Sequence, residues 1–179
     1  MQSTPPDPTP GRLQPSPETL AAWQAFLQAH TVVTRVLERE LVAAQGLPLA
    51  EYDVLFQLST APQGRLRMAQ LADRVLLSRS GLTRLVERLE GAGLVRREVC
   101  PSDARGAYAV LTSPGKERLR AATPGHLRSV QQHFGDVLDC QQMESLLAAL
   151  RQLAAANLGE QGEGCHQDCG APPTPLEDN

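Results

Sequence analysis

The sequence predicts a mainly α-helical fold, in which a winged helix-turn-helix with a two-stranded β wing is joined to an all-helical dimerisation region. Two short amphipathic segments, Met68–Val75 and Arg79–Ala92, are separated by only three residues, the spacing of a helix-turn-helix. Two extended segments, Leu94–Val99 and Ala107–Leu111, flank the turn-rich stretch Pro101–Gly106 and predict a hairpin. Longer segments with helical apolar spacing lie on both sides of this head.

Composition divides the chain into a folded part and two polar ends. The N-terminal lead holds six prolines, and the C-terminal tail is rich in glycine and proline, so both are predicted to be disordered. The predicted boundaries are a lead at 1–17, a folded domain at 18–158 with its head at 48–112 and its dimerisation helices at 18–46 and 113–158, and a tail at 159–179.

The first helix is predicted from Pro17 to Gln45, because Gly46 can adopt the left-handed conformation that ends helices. Its apolar stripe is broader than one partner helix needs. A second helix is predicted after Pro48, through Glu51 to Ser59. Four of its side chains are predicted to face inward: Tyr52, Leu55, Phe56 and Leu58.

The predicted helix Arg79–Ala92 has two distinct faces. Ser78 is a natural N-cap and Gly93 a natural end for it. Helical spacing places an apolar set on the core side: Leu82, Leu85, Val86 and Leu89. The same spacing places a polar set on the opposite side: Ser80, Thr83, Arg84 and Glu87.

Charge indicates what the outer face could contact. The formal net charge is −3, yet the segment from 65 to 105 holds nine arginines and five acidic residues, a local net charge of +4. Such a basic patch attracts phosphate to one face of the molecule. The segment therefore predicts binding to double-stranded DNA, with no cofactor required.

Individual DNA contacts can be assigned by side-chain chemistry. Small hydroxyls let a helix approach the major groove closely, and Arg84 can pair bidentately with guanine. Glu87 either accepts from a cytosine or holds a neighbouring arginine. The candidate contacts on the turn and helix are Ser78, Arg79, Ser80, Thr83 and Arg84.

The predicted wing carries two further candidates at its tip. Arg105 can enter a narrow minor groove, where the potential is most negative. Asp103 can orient Arg105 or pair with an arginine of the predicted helix Arg79–Ala92, which would read the DNA bases.

Two other functions compete with DNA binding. A winged helix used for protein contact would favour exposed apolar residues where Ser80, Thr83 and Arg84 stand. An enzyme is not expected, since no phosphate loop, nucleophile elbow or paired metal-ligand motif occurs and the four histidines do not cluster.

A further helix is predicted after a cap at Thr112 or Ser113, with a kink at Pro124. The predicted helix carries Leu119, Ala122, His126, Val130, Phe134 and Val137. A final helix is predicted from about Gln141 to Leu158. The first and last helices are too apolar for a lone head, so we expect a homodimer.

The stretch Leu77–Val95, with Asp103-x-Arg105 and Leu111-Thr112-x-x-Gly115 after it, resembles the MarR family of bacterial regulators. The resemblance covers about 18–158. It implies a dimer held by the first and last two helices, a palindromic operator, and repression relieved by a small aromatic or anionic ligand. Many members carry Asp-Arg-Arg at the wing tip, whereas this chain has Asp103-Ala104-Arg105.

In the resembled family, ligands bind in a crevice beneath the head. Five residues of this chain come from elements expected to converge there, although a histidine on an apolar stripe is also common at an interface. The candidate ligand-binding residues are Trp23, His30, Tyr52, Phe56 and His126.

Cysteines offer an alternative signal. Redox sensing could act through Cys100 at the wing base or Cys140 near the last helix, although the first-helix cysteine of some family members is absent. Cys165, His166 and Cys169 could supply three metal ligands, but closed zinc sites need four, so no metal site is predicted.

Neither a membrane span nor a secretory leader is predicted, and a cytoplasmic location is expected.

Overall fold

The computed structural model describes residues 14–75, 78–100 and 103–157. Within those residues the chain forms six α-helices and three β-strands, which confirms the mainly α winged-helix fold. In chain order the elements are α1 (Pro17–Gln45), α2 (Leu49–Thr60), β1 (Arg65–Arg67), α3 (Met68–Arg74), α4 (Arg79–Gly91), β2 (Val95–Cys100), β3 (Asp103–Leu111), α5 (Ser113–His133) and α6 (Cys140–Asn157). Two compact units divide the chain after Val137, and α6 is the described helix of the second.

Helix α1 begins and ends at the predicted residues. The Ser16 hydroxyl accepts a hydrogen bond from the Thr19 N–H (3.2 Å), and Pro17 follows in the first turn. Gly46, with φ of 59°, ends the helix and donates to the Val42 carbonyl at 2.7 Å. Only Leu37 and Leu41 of this helix are buried, so its N-terminal half is exposed.

The core of the first unit lies where α2, α3 and α4 pack against the sheet. The predicted inner face of α4 is confirmed, since its four apolar side chains are at most 2% exposed. Truncating a leucine at such a site costs about 2–5 kcal/mol. The largest fully buried side chains are Leu47, Val54, Leu55, Leu58, Leu71, Leu82, Val86, Leu89 and Val95.

Phe56 is an exception, and its predicted inward orientation is wrong. Its side chain is 37% exposed. It lies one turn after Tyr52, and the two rings stack with centroids 6.4 Å apart. Phe56 therefore packs at the margin of the buried face of α2, whereas Tyr52, Leu55 and Leu58 are buried.

The predicted hairpin forms from β2 and β3, but the sheet has a third strand that the sequence did not reveal. Strand β1 pairs antiparallel with β3, and the order is β1-β3-β2. Tyr108 of β3 lies beneath the guanidinium carbons of Arg65 and Arg67, 5.2 and 5.7 Å from its ring centroid. The wing is thereby joined to the strand that precedes α3.

Helix α5 begins at the predicted cap but ends earlier than its apolar pattern predicts. The Thr112 hydroxyl accepts from the Gly115 N–H (3.1 Å), and the helix continues through Pro124 to His133. Phe134 leaves the helical conformation at φ −130°, and Gly135–Val137 form one 3₁₀ turn. Phe134 and Val137, which were predicted to belong to this helix, lie beyond its end and are exposed.

The second unit contains α6, whose first turn is closed by reciprocal hydrogen bonds. The Asp139 carboxylate accepts from the Gln142 N–H (2.8 Å), and the Gln142 side-chain oxygen accepts from the Asp139 N–H (3.0 Å). The helix therefore starts at Cys140, close to the predicted Gln141. The predicted last residue, Leu158, lies outside the described residues.

A polar cluster joins α1 to the end of α5. The Glu40 carboxylate accepts from the Ser129 hydroxyl and lies 2.8 Å from the His133 Nε2. The bond from Ser129, together with that from His133, holds the pKa of Glu40 below its ordinary value of 4.5. The ionised form of Glu40 is therefore favoured by folding.

Replacing Glu40 with glutamine is expected to destabilise the fold at neutral pH. In acid the same substitution should have little effect on the free energy of unfolding. Since the folded-state pKa is lowered, ionised Glu40 stabilises the fold above its unfolded pKa of 4.5, and this contribution is lost as pH falls through the folded pKa. Urea unfolding at about pH 7 and about pH 3 measures the change. Glu117→Gln, at an exposed position of the same unit, is the matched control. An effect of E40Q on unfolding that does not depend on pH would contradict the stabilising role assigned to ionised Glu40.

Candidate nucleic-acid interface

The N-terminus of α4 presents small polar groups at the molecular surface. The Ser78 hydroxyl accepts from the Gly81 N–H at 3.1 Å and lies 3.3 Å from the Ser80 hydroxyl. A Cβ atom at position 81 would lie 3.1 Å from the Ser78 oxygen, tighter than most real contacts. Gly81 therefore keeps the first turn narrow, and the helix N-terminus carries the partial positive charge that attracts phosphate.

The outer face of α4 supplies groups suited to base edges. Thr83 donates its hydroxyl proton to the Arg79 carbonyl (2.9 Å), so its oxygen is left to accept from an adenine or cytosine amino group. Arg84 is exposed, and among the described residues no carboxylate pairs with its guanidinium. Its five donors are available for a guanine edge or a phosphate.

The acidic residues near α4 are paired with arginines. Glu90 bonds the Arg97 Nε at 2.8 Å, and Glu87 lies 3.8 Å from the Arg97 Nη1. Glu51 of α2 pairs with the Arg88 Nε at 3.3 Å. These contacts favour the arginine-holding role for Glu87 and offset negative charge beside the exposed Arg84. Exposed pairs of this kind contribute only about 0–1 kcal/mol to stability, so their main effect is on orientation and local potential.

The wing projects from the same head. Register pairs run from Val95↔Leu111 to Cys100↔Asp103, with an irregularity between Val99 and Cys100. Asp103 and Arg105 belong to β3 beside the hairpin turn. Their side chains, and that of Cys100, lie outside what the structure describes. Their roles therefore remain predictions.

The exposed face of α4 matches nucleic acid better than an apolar protein surface. Its described outward residues include Arg79, Ser80, Arg84 and Glu87, and no large apolar side chain of this helix is exposed. Protein recognition would favour the opposite composition. The predicted polar outer face of α4 is therefore confirmed, whereas its role in reading DNA and the contacts of individual residues stay predictions.

A crevice of about 520 Å³ lies in the first unit between α1, α2 and α5. The Tyr52 and His126 rings stand 4.4 Å apart between centroids. The buried His126 Nδ1 has no hydrogen-bond partner among the described residues, and burial lowers the pKa of His126 below 6.5. The eight residues that line the crevice are Thr34, Leu37, Glu38, Leu49, Ala50, Tyr52, Asp53 and His126.

The structure brings together three of the five candidate ligand residues. Tyr52 and His126 line the crevice, and Phe56 stacks on Tyr52. Trp23 instead stacks on Phe26 at 6.0 Å, in the exposed half of α1. His30 is also exposed, one turn before Thr34 at the edge of the crevice.

Sequence reasoning missed the two carboxylates of the crevice. Glu38 accepts from the Leu49 N–H (2.5 Å) and so caps α2 from α1 across eleven positions in the chain. No short-range pattern encodes such a contact. Asp53 is adjacent to Tyr52, which places it next to a predicted ligand residue and is the one signal that could have identified it.

The cysteines and the tail add no second site within the described part of the chain. Cys140 is a free, exposed thiol, which by itself indicates no sensor. Cys165, His166 and Cys169 lie outside the described residues, and the remainder contains no group of three side chains placed to hold a metal. None of the described helices is long and apolar enough to cross a membrane.

Known proteins share this architecture. A sequence model of the MarR family matches residues 45–106. Sco3205 from Streptomyces coelicolor, a MarR family transcriptional regulator solved in complex with DNA, is 37% identical, with a TM-score of 0.76 over 85% of this chain and 96% of that chain. AbsC, a MarR family regulator from the same organism, is 36% identical, with a TM-score of 0.73 over 82% and 99%. YkoM of Bacillus subtilis, an uncharacterized HTH-type transcriptional regulator, is 31% identical over 60% of this chain and 68% of YkoM.

Proposed function

The chain belongs to the MarR family of DNA-binding transcription regulators, and we propose that it represses transcription as a homodimer on a palindromic operator until a small molecule releases it. The relatives are regulators rather than enzymes, as the sequence predicted. The proposal places the protein in the cytoplasm, in contact with chromosomal DNA. Bound across a promoter, such a dimer would exclude the transcription machinery.

The outer face of α4 carries the sequence-specific part of the proposal. Arg84 stands exposed while the acids beside it are engaged by other arginines. Ser80 and Thr83 flank it with hydroxyl oxygens, and Ser78 and Arg79 lie at the phosphate-attracting end of the helix. This combination allows the helix to contact base edges while its N-terminus is held on the backbone.

Exposed apolar side chains support the dimer. Trp23 is 56% and Leu27 43% exposed, and Leu20 and Phe26 add to the same half of α1. Contiguous apolar surface of this kind indicates an interaction site. Helix α6 independently exposes Leu147 and Leu153 and buries none of its described residues. A second copy would cover these surfaces with a self-complementary two-fold interface.

The crevice supports control by a ligand. Helix α2 contributes Tyr52 and Asp53 to the crevice, and Tyr52, Val54 and Leu55 belong to the core cluster that also holds the apolar face of α4. A ligand that prefers one arrangement of α1, α2 and α5 would bias the spacing of the two reading helices. By linkage, operator DNA must weaken the binding of such a ligand by the same factor.

Arg84→Ala and Arg105→Ala are expected to weaken DNA binding in different ways. Removing a bidentate base contact should reduce affinity by about 1–3 kcal/mol and relax specificity at one base pair. Removing the wing arginine should weaken binding mainly where flanking sequence is A/T-rich, because a narrow minor groove attracts a guanidinium. Quantitative gel shift on operators mutated at single positions measures both.

Arg151→Ala on α6 serves as the control, since it removes the same charge outside the predicted head. Equal, sequence-independent losses for Arg84→Ala and Arg105→Ala would contradict the assigned roles. A comparable loss for Arg151→Ala would show that net charge alone is responsible.

A further inference from the structure

The charged groups of the crevice between α1, α2 and α5 are of one sign. Glu38 and Asp53 both line it, and no lysine or arginine among the described residues does so. The ring of His126 adds no positive charge in the neutral form that burial favours. A ligand entering this crevice therefore meets two carboxylates and no fixed cation.

Each carboxylate is held in place and has capacity to bind more. One oxygen of Glu38 accepts from the Leu49 N–H, which leaves the other oxygen as an acceptor. Burial raises the pKa of Asp53 above its ordinary 3.8, and a hydrogen bond from Gln57 offsets this only in part. A carboxylate whose charged form is penalised by burial is stabilised by a cation placed beside it.

Aromatic and apolar groups complete the lining. The rings of Tyr52 and His126 lie 4.4 Å apart, and Leu37 and Leu49 provide apolar contact. His126 also lines the crevice, and its buried Nδ1 has no hydrogen-bond partner among the described residues.

We propose that this crevice binds a small planar aromatic cation, such as an aromatic amine or amidine, and discriminates against the aromatic anion that family resemblance implies. This inference rests on the proposed function for its effector role but not for its charge preference. A planar ring fits beside Tyr52 and Leu49, while its cationic donors bond to Glu38 and Asp53. An aromatic carboxylate of equal shape would instead be repelled by both side chains.

A neighbouring cavity offers the contrasting environment. A cavity of about 250 Å³ is lined by residues of α1 and α5, shares Leu37 and His126 with the crevice, and has Arg128, Glu40 and Ser129 among its other lining residues. Arg128 is the only lysine or arginine that lines either cavity among the described residues. An anion bound in either cavity would therefore depend on Arg128 rather than on Asp53.

Three probes of the same shape and different charge test the proposal: benzamidine, benzamide and benzoate, titrated into the full-length chain by calorimetry at constant ionic strength. We expect benzamidine to bind at least about tenfold more tightly than benzoate, and the affinity of benzamide to lie between the two. Asp53→Asn and Glu38→Gln should each reduce benzamidine affinity several-fold while leaving benzamide unchanged. Glutamine at position 38 retains an oxygen for the Leu49 N–H, so the cap of α2 is preserved.

Glu117→Gln, which removes an exposed carboxylate outside the crevice, should leave all three affinities unchanged. Tighter binding of benzoate, particularly if abolished by Arg128→Gln, would overturn the inference. So would binding of none of the probes, or benzamidine affinity that neither crevice variant changes.

Operator release distinguishes this inference from the proposed function. Benzamidine that binds with the expected charge preference and displaces operator DNA supports both. The same preference without any effect on DNA supports the cation crevice and contradicts its effector role.

Discussion

Gly115→Ala is expected to destabilise the fold by about 3 kcal/mol or more, because a methyl group at this position has no room. A Cβ atom on Gly115 would lie 2.1 Å from the Leu94 carbonyl oxygen and 2.7 Å from the Leu111 Cδ1. The first of these contacts is with backbone, which cannot rotate away. The substitution must therefore separate the start of α5 from the wing.

The same junction is held by one hydroxyl. Thr112 Oγ1 lies 2.7 Å from the Gly93 carbonyl oxygen and 2.9 Å from that of Leu94, and it accepts from the Gly115 N–H. Gly93 follows the end of α4, so α4, β2, β3 and α5 converge within a few residues. A shift of α5 would disturb the wing and the reading helix together.

Urea unfolding measures the effect, with Gly125→Ala as the matched control in the same helix. A Cβ atom there meets only the Arg128 Nη2 at 3.9 Å, so the change should be neutral or stabilise the helix by up to about 1 kcal/mol. Equal effects of the two substitutions would contradict the packing described at Gly115.

Trp23→Glu combined with Leu27→Glu is expected to dissociate the proposed homodimer and weaken operator binding by about a hundredfold or more, because two linked half-site contacts become one. Both side chains are exposed in the single chain, at positions i and i+4 of α1. Charges on this face would be buried without partners in a two-fold interface. Sedimentation and gel shift measure the two effects, and circular dichroism checks that α1 remains helical.

Ala21→Glu combined with Ala25→Glu is the matched control. It adds the same two charges at the same spacing, on the opposite side of α1. This variant should remain dimeric and bind DNA normally. A dimeric Trp23/Leu27 variant with full operator affinity would exclude this half of α1 from the interface.

Local signals predicted the parts of the fold that local physics controls. Pro17 and Gly46 bounded α1 in the sequence, and the structure adds a side-chain cap at Ser16 that the sequence analysis did not identify. The apolar spacing of α4 identified its buried face because that face repeats every three to four residues. The same spacing then predicted the polar outer face on the opposite side of the helix.

Features that depend on distant contacts were not predictable in this way. Strand β1 has three residues and a single apolar side chain, so only its pairing with β3 reveals it. Phe56 continues the apolar pattern of α2 yet lies at the margin of its packed face. Glu38 lines the crevice and accepts a hydrogen bond from the Leu49 N–H at the start of α2, a contact across eleven positions that no local pattern reveals. Trp23 and His30 were grouped with the crevice, since apolar spacing does not distinguish a ligand face from an exposed interface face.

Operator affinity as a function of half-site spacing tests most directly whether the chain reads DNA as a two-fold dimer. Operators are first selected from a random pool by the full-length protein, and the distance between half-sites is then varied one base pair at a time. The expected result is a palindrome with one sharp optimum, its half-sites about 34 Å or 10–10.5 base pairs apart from centre to centre. Affinity that is insensitive to spacing, or a single half-site bound as tightly as the pair, would contradict this account.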